Sequence, residues 1–147
     1  MSDFSDIISL LPYKNPFHFV DEILELSDSH SIGTYKIKEN EYFFEGHFPG
    51  NPTVPGAILG EIMAQIGLVC LGIHLTEPNE RPHIMPAFTS MEMDFLSYAK
   101  PGDRLIIHSE KIYFRLGKLK CKVSCKKEDE TLVAKGNLAG VIIKQKK

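Results

Sequence analysis

The spacing of apolar and polar residues changes period several times along the chain, and each change marks an element. Residues 4–11 carry apolar side chains at helical spacing and predict a short amphipathic helix stopped by Pro12. Phe17–Leu26 and Ser31–Ile37 read as strands around a Ser-Asp-Ser-His turn. Residues 57–75, AILGEIMAQIGLVCLGIHL, are apolar on all sides with a single charge, as in a helix enclosed by a core. Pro55-Gly56 opens it, and Pro78-Asn79-Glu80-Arg81-Pro82 follows its end. Its length would also cross a bilayer. Against that stand Glu61, Gln65 and His74, and the lack of flanking basic clusters, so no membrane association is expected. Beyond it, 83–98 reads as extended, Pro101-Gly102-Asp103 as a turn, and Arg104–Arg115 as a strand. After a turn at Leu116-Gly117, Leu119–Lys126 alternates cleanly: Leu119, Cys121, Val123 and Cys125 face in, lysines face out. Glu128-Asp129-Glu130 turns into a last strand, Thr131–Ile143. This order predicts an α+β fold, one domain over 1–147, with an antiparallel sheet wrapped around a long buried central helix.

Composition changes little in that picture. The chain has 147 residues, 43% hydrophobic and 24% charged, which excludes wholesale disorder and a disulfide scaffold. The net charge of −2 marks no nucleic-acid partner, but the charge is unevenly placed. Residues 1–61 hold 10 acidic and 3 basic side chains, and the remainder 9 and 14. A basic C-terminal half suits an acidic partner, with Lys100, Arg104, Arg115 and Lys118 as candidates near loop ends; alternatively, lysines merely keep exposed strands soluble. Cys70, Cys121 and Cys125 show no metal-like pairing and read as small core residues in a reducing compartment. The acidic start, Met-Ser-Asp-Phe-Ser-Asp, is unlike a secretory signal, and a cytoplasmic location is expected. Neither a metal nor a cofactor is implied.

The chemistry concentrates in residues 46–65, GHFPGNPTVPGAILGEIMAQ. Prolines at 49, 52 and 55 and glycines at 46, 50 and 56 make a stiff, tightly turned loop, suited to holding a side chain in place. Singly, a histidine beside Phe-Pro is a loop residue and Pro-Gly before a helix is ordinary capping. Together, His47 as a base, Glu61 as an acid in apolar surroundings, and the free N–H groups of Gly56 and Ala57 fall within fifteen residues.

This segment resembles the active site of the FabZ/FabA-type 3-hydroxyacyl-[acyl-carrier-protein] dehydratases, which have the hot-dog fold. The resemblance rests on a G-H-F-P-G loop, a P-G at the helix start and a helix Glu, matched from His47 through Gly56 to Glu61 without insertion. Upstream, Leu11-Pro12-Tyr13-Lys14-Asn15-Pro16-Phe17 is similar to the family's opening, with Tyr13 where a His is usual. Downstream, Pro101-Gly102-Asp103 matches the family turn, but Met93–Ala99 replaces the basic stretch that precedes it.

The resemblance implies loss of water from a 3-hydroxyacyl thioester on acyl carrier protein, giving a trans-2-enoyl thioester in fatty-acid or related biosynthesis. His47 would take the C2 proton, Gly56 and Ala57 would hold the charge on the thioester oxygen, and Glu61 would protonate the leaving hydroxyl. A scheme with His47 alone shuttling the proton stays open. Phe48, Ile58 and Ile62 are expected to line an acyl tunnel. A homodimer, or a multiple of one, is implied, with His47 of one chain facing Glu61 of the other. Two rival readings share the fold. One is a hot-dog thioesterase, whose carboxylate would activate water; the other is a non-catalytic acyl-binding partner subunit.

Overall fold

The computed structural model describes residues 4–144. Its elements are α1 (Ser5–Ser9), β1 (Glu22–Leu26), β2 (His30–Lys36), α2 (Gly56–Leu75), β3 (Ile84–Phe95), β4 (Arg104–Arg115), β5 (Lys118–Lys127) and β6 (Leu132–Lys144). The six strands form one sheet in the order β1-β2-β4-β5-β6-β3, antiparallel throughout. Helix α2 lies on one face of it and touches β2 through β6. This is the α+β hot-dog arrangement that the periodicity and the resemblance led us to expect.

The sheet forms because its central strands bury alternate residues. Leu105 and Ile107 of β4, and Leu119, Cys121, Val123 and Cys125 of β5, are buried against the helix. All three cysteines are unpaired and buried. Between β4 and β5 the turn residues Leu116 (φ 53°) and Gly117 (φ 75°) both take the left-handed conformation, the two-residue connection that suits strand twist. Helix α2 buries Leu59, Ile62, Met63, Ile66, Leu71 and Ile73, and 78% of its most apolar stretch is inside the protein. It is the core helix and not a membrane span.

The structure departs from the sequence-based expectations in three places. The first strand begins at Glu22 rather than Phe17, because the chain before it pairs with a helix side chain: the Phe19 N–H donates to Gln65 Oε1 at 2.9 Å. A short 3₁₀ turn, Tyr42–Glu45, precedes the loop that carries His47, where the sequence pattern marks no element. Helix α2 is also not regular: Gln65–Val69 forms a π turn. There the Ile66 and Gly67 carbonyls accept hydroxyl protons from Ser31 of β2 (3.2 Å) and Ser109 of β4 (2.8 Å). Hydrogen bonding from the sheet thus meets the carbonyls of the widened turn, a feature that apolar periodicity does not reveal.

Candidate active site

The loop before α2 is held by its own backbone. Phe48 and Asn51 exchange N–H···O bonds of 3.2 and 2.9 Å, and the Thr53 N–H donates to the His47 carbonyl at 3.1 Å. Gly50 supplies the positive φ of 73° that lets the chain double back. The Val54 N–H donates to the Ala99 carbonyl at 2.8 Å, which fastens the loop to the segment after β3. His47 is half-buried within this frame. Its Nδ1 lies 3.0 Å from the Thr53 carbonyl oxygen, which only accepts, so Nδ1 carries the hydrogen. The Thr53 hydroxyl stands 3.2 Å from the same nitrogen, and in this tautomer of the neutral ring the lone pair is on Nε2. Phe48 stacks on the imidazole with ring centroids 4.0 Å apart. Both rings face a cavity of about 510 Å³ shared with Thr53, Gly56, Leu59, Phe95 and Tyr98.

Gly56 and Ala57 begin the helix. The Ile58 and Leu59 N–H groups donate to the Pro55 carbonyl, so those of Gly56 and Ala57 remain as donors at the positive end of α2.

Glu61 stands half-buried at a second cavity, of about 190 Å³, lined by Tyr13, Phe17, Ala64, Leu68, Phe88, Leu119, Gly140 and others. Burial raises its pKa above the usual 4.5, and the Gln65 amide, 3.0 Å from Oε2, offsets part of that by favouring the carboxylate. Gln65 is fully buried, and its orientation is fixed at both ends. Besides receiving the Phe19 N–H, it donates to the Phe17 carbonyl at 3.0 Å. Tyr13 borders the same cavity; burial first, then the nearby Glu61 charge, pushes its phenol upward.

Of the residues expected to line an acyl tunnel, Phe48 borders the His47 cavity of the single chain. Ile62 is fully buried in the core and Ile58 packs beside it; neither borders either cavity. Helical spacing explains this: 61, 64 and 68 share the face toward the cavity, while 62, 66 and 73 turn into the sheet. The two cavities have no lining residue in common, so within one chain His47 and Glu61 serve different spaces. The orienting roles of Thr53 and Gln65 escaped the sequence reading. For Gln65 a signal existed, an amide one turn beyond a carboxyl in an otherwise apolar helix.

With this geometry, the comparisons with known proteins become specific. The chain belongs to the FabA-like family, whose domain model matches residues 11–137. Among curated relatives it is 36% identical, over 141 residues, to the 3-hydroxyacyl-[acyl-carrier-protein] dehydratase FabZ of Herpetosiphon aurantiacus, covering 94% of this chain and 96% of that one. Identity to FabZ of Fusobacterium nucleatum is 40% over 109 residues, covering 72% and 73%. Among solved structures, the dehydratase heterocomplex ApeI:P of Xenorhabdus doucetiae superposes with a TM-score of 0.77 at 17% identity, covering 96% and 91%. A thioesterase of Haemophilus influenzae superposes at 0.69 with 12% identity, covering 100% and 94%. Such distant structures share the fold and leave the chemistry to the site.

Proposed function

We propose that this protein removes water from 3-hydroxyacyl thioesters carried on acyl carrier protein, giving trans-2-enoyl thioesters in fatty-acid or related biosynthesis. What supports this reading is that the chain carries, each at a cavity, an imidazole whose second nitrogen is committed to Thr53 and a half-buried carboxyl whose neutral form burial favours. His47 Nε2 takes the proton from C2. The C2–H electrons move toward the thioester carbonyl, and its oxygen meets the Gly56 and Ala57 N–H groups. One such donor is typically worth about 3 kcal/mol to a transition state. Glu61 gives its proton to the 3-hydroxyl, which leaves as water, and Gln65 holds the carboxyl in place meanwhile. Proton transfer from the imidazolium to the Glu61 carboxylate, through product water, resets both groups.

Two copies of the chain make the site. Phe88, Met91 and Phe95 lie along β3, an edge strand, and are 44–49% exposed although they sit beside the helix. The helix comes close because it has glycine opposite them: a Cβ at Gly60 would meet Met91 Sδ at 2.5 Å, and one at Gly56 would meet the Phe95 ring at 3.2 Å. A second copy pairing its β3 antiparallel about a two-fold axis near Met91 covers these side chains and removes the open edge. It also sets residue 88 of one chain near residue 95 of the other. Phe88 borders the Glu61 cavity and Phe95 the His47 cavity, so each catalytic pair joins across the interface.

The sister reading, a thioesterase, shares the fold but leaves His47 and its frame without a task. Supplying a 3-hydroxyacyl carrier thioester and following enoyl absorbance against free-thiol release separates the two. Thiol release without enoyl formation overturns the dehydratase reading.

A further inference from the structure

The cavity beside Glu61 extends from that carboxyl to Ile142, and the residues along it have the geometry of a length gauge. Glu61, Ala64 and Leu68 advance along one face of α2, spanning about 10 Å from 61 to 68. Opposite them run registered strands: Phe88 pairs with Gly140 and Pro86 with Ile142, while Leu119 pairs with Gly140 from the other side. Space exists here because residue 140 has no side chain. A Cβ on Gly140 would stand 3.0 Å from the Ala87 carbonyl oxygen and 3.7 Å from Leu68 Cδ1. Two residues on, the same face of β6 carries Ile142. Its Cδ1 fills the notch over Gly72, 2.5 Å from where a Cβ there would be, and Leu119 Cδ2 lies 3.8 Å from that point. Ile142 thus lines the cavity and seats against the helix at the same point.

We propose that Ile142, seated over Gly72, is the stop that sets the longest acyl chain the protein accepts. The proposal rests on the acyl-thioester reading above. An acyl chain whose C2 and C3 lie at Glu61 runs along Ala64 and Leu68 and brings its terminal methyl against Ile142. A longer chain has to displace the isoleucine or leave methylenes outside.

The two partners give opposite tests. Ile142→Ala opens the end, whereas Gly72→Ala drives the flexible Ile142 tip out of its notch toward the cavity. Ile142→Val, one methylene smaller, guards against a folding defect in the alanine variant. Binding of saturated acyl-pantetheine thioesters of increasing even length, measured by calorimetry, reads the stop without turnover. Turnover of the matching 3-hydroxyacyl thioesters is followed in parallel. Ile142→Ala is expected to tighten binding of the first excluded length about tenfold, the effect of burying two more methylenes, with Ile142→Val shifted less. Gly72→Ala is expected to lower the limit. A limit common to all four proteins overturns the stop while leaving dehydration intact. A limit that moves as described, without enoyl formation from any substrate, overturns dehydration and retains the stop. Failure of every acyl chain to bind overturns both.

Discussion

Glu61 couples the stability of the protein to its chemistry. Its pKa is raised in the folded state, so between the ordinary value of 4.5 and the folded value the folded chain binds more protons than the unfolded one. Stability therefore falls as pH rises through that window, and the penalty persists above it. Glu61→Gln removes the penalty and is expected to raise the melting temperature at about pH 8, with little difference at about pH 4. The same change should lower kcat by about 10² or more, because the amide has no proton to give at the leaving oxygen. His47→Ala should lose activity on the same scale and show no comparable pH-dependent stabilisation. Thermal melts at the two pH values and enoyl absorbance check each half. A Glu61→Gln protein with near-normal turnover would remove Glu61 from the mechanism.

At the scale of elements, Gln65 fastens α2 to the segment ahead of β1. Its side chain receives the Phe19 N–H and donates to both the Phe17 carbonyl and Glu61. Gln65→Leu orphans two backbone groups, at least one of them buried, and is expected to cost about 1–3 kcal/mol in a urea titration. Because the amide favours the Glu61 carboxylate, its loss should also raise the Glu61 pKa further. The alkaline limb of the kcat/KM profile should then move to higher pH. Loss of stability with an unmoved limb would make Gln65 structural only. The basic candidates for carrier docking are also sorted by their elements. Arg104 and Arg115 stand at opposite ends of β4, about 36 Å apart, so they cannot join one small patch. Arg104 is engaged with Glu22 and Glu128 at 3.4 and 3.5 Å, and Arg115 lies over the Tyr113 ring. Lys100, exposed and two residues from Tyr98 of the His47 cavity, is the better-placed cation. Lys100→Glu is expected to raise KM for carrier-bound substrate several-fold and to leave a short pantetheine thioester unaffected. Equal effects on both substrates would exclude docking there.

The whole molecule decides whether His47 and Glu61, the two proposed catalytic groups, meet. If the sites are shared, His47→Ala and Glu61→Gln proteins should complement each other after subunit exchange. Random pairing makes half the dimers mixed, each with one intact site, so about a quarter of wild-type activity should return. Native mass spectrometry would verify the mixed dimers, and their presence without activity would show that each chain works alone.

Much of this was legible in the sequence because local periodicity and turn chemistry are local properties. Strict alternation located β5, and turn residues bounded β4 and β6, each to within a residue or so; Leu116-Gly117 marked a turn that its dihedral angles bear out. The His47-to-Glu61 spacing named the candidate pair because loop and helix start are contiguous in the chain. What the sequence could not supply depends on groups far apart in it. The first strand is short because Phe19 bonds to a residue 46 positions away, and the cavity at Glu61 is walled by β3, β5 and β6 opposite the helix, with Ile58 and Ile62 outside its lining. Which groups face His47, why the helix widens at Gln65, and which residues line the cavity at Glu61 are likewise tertiary outcomes. Each depends on which carbonyl, hydroxyl or methyl group the fold brings to within a few ångströms, and apolar pattern encodes burial without encoding the partner.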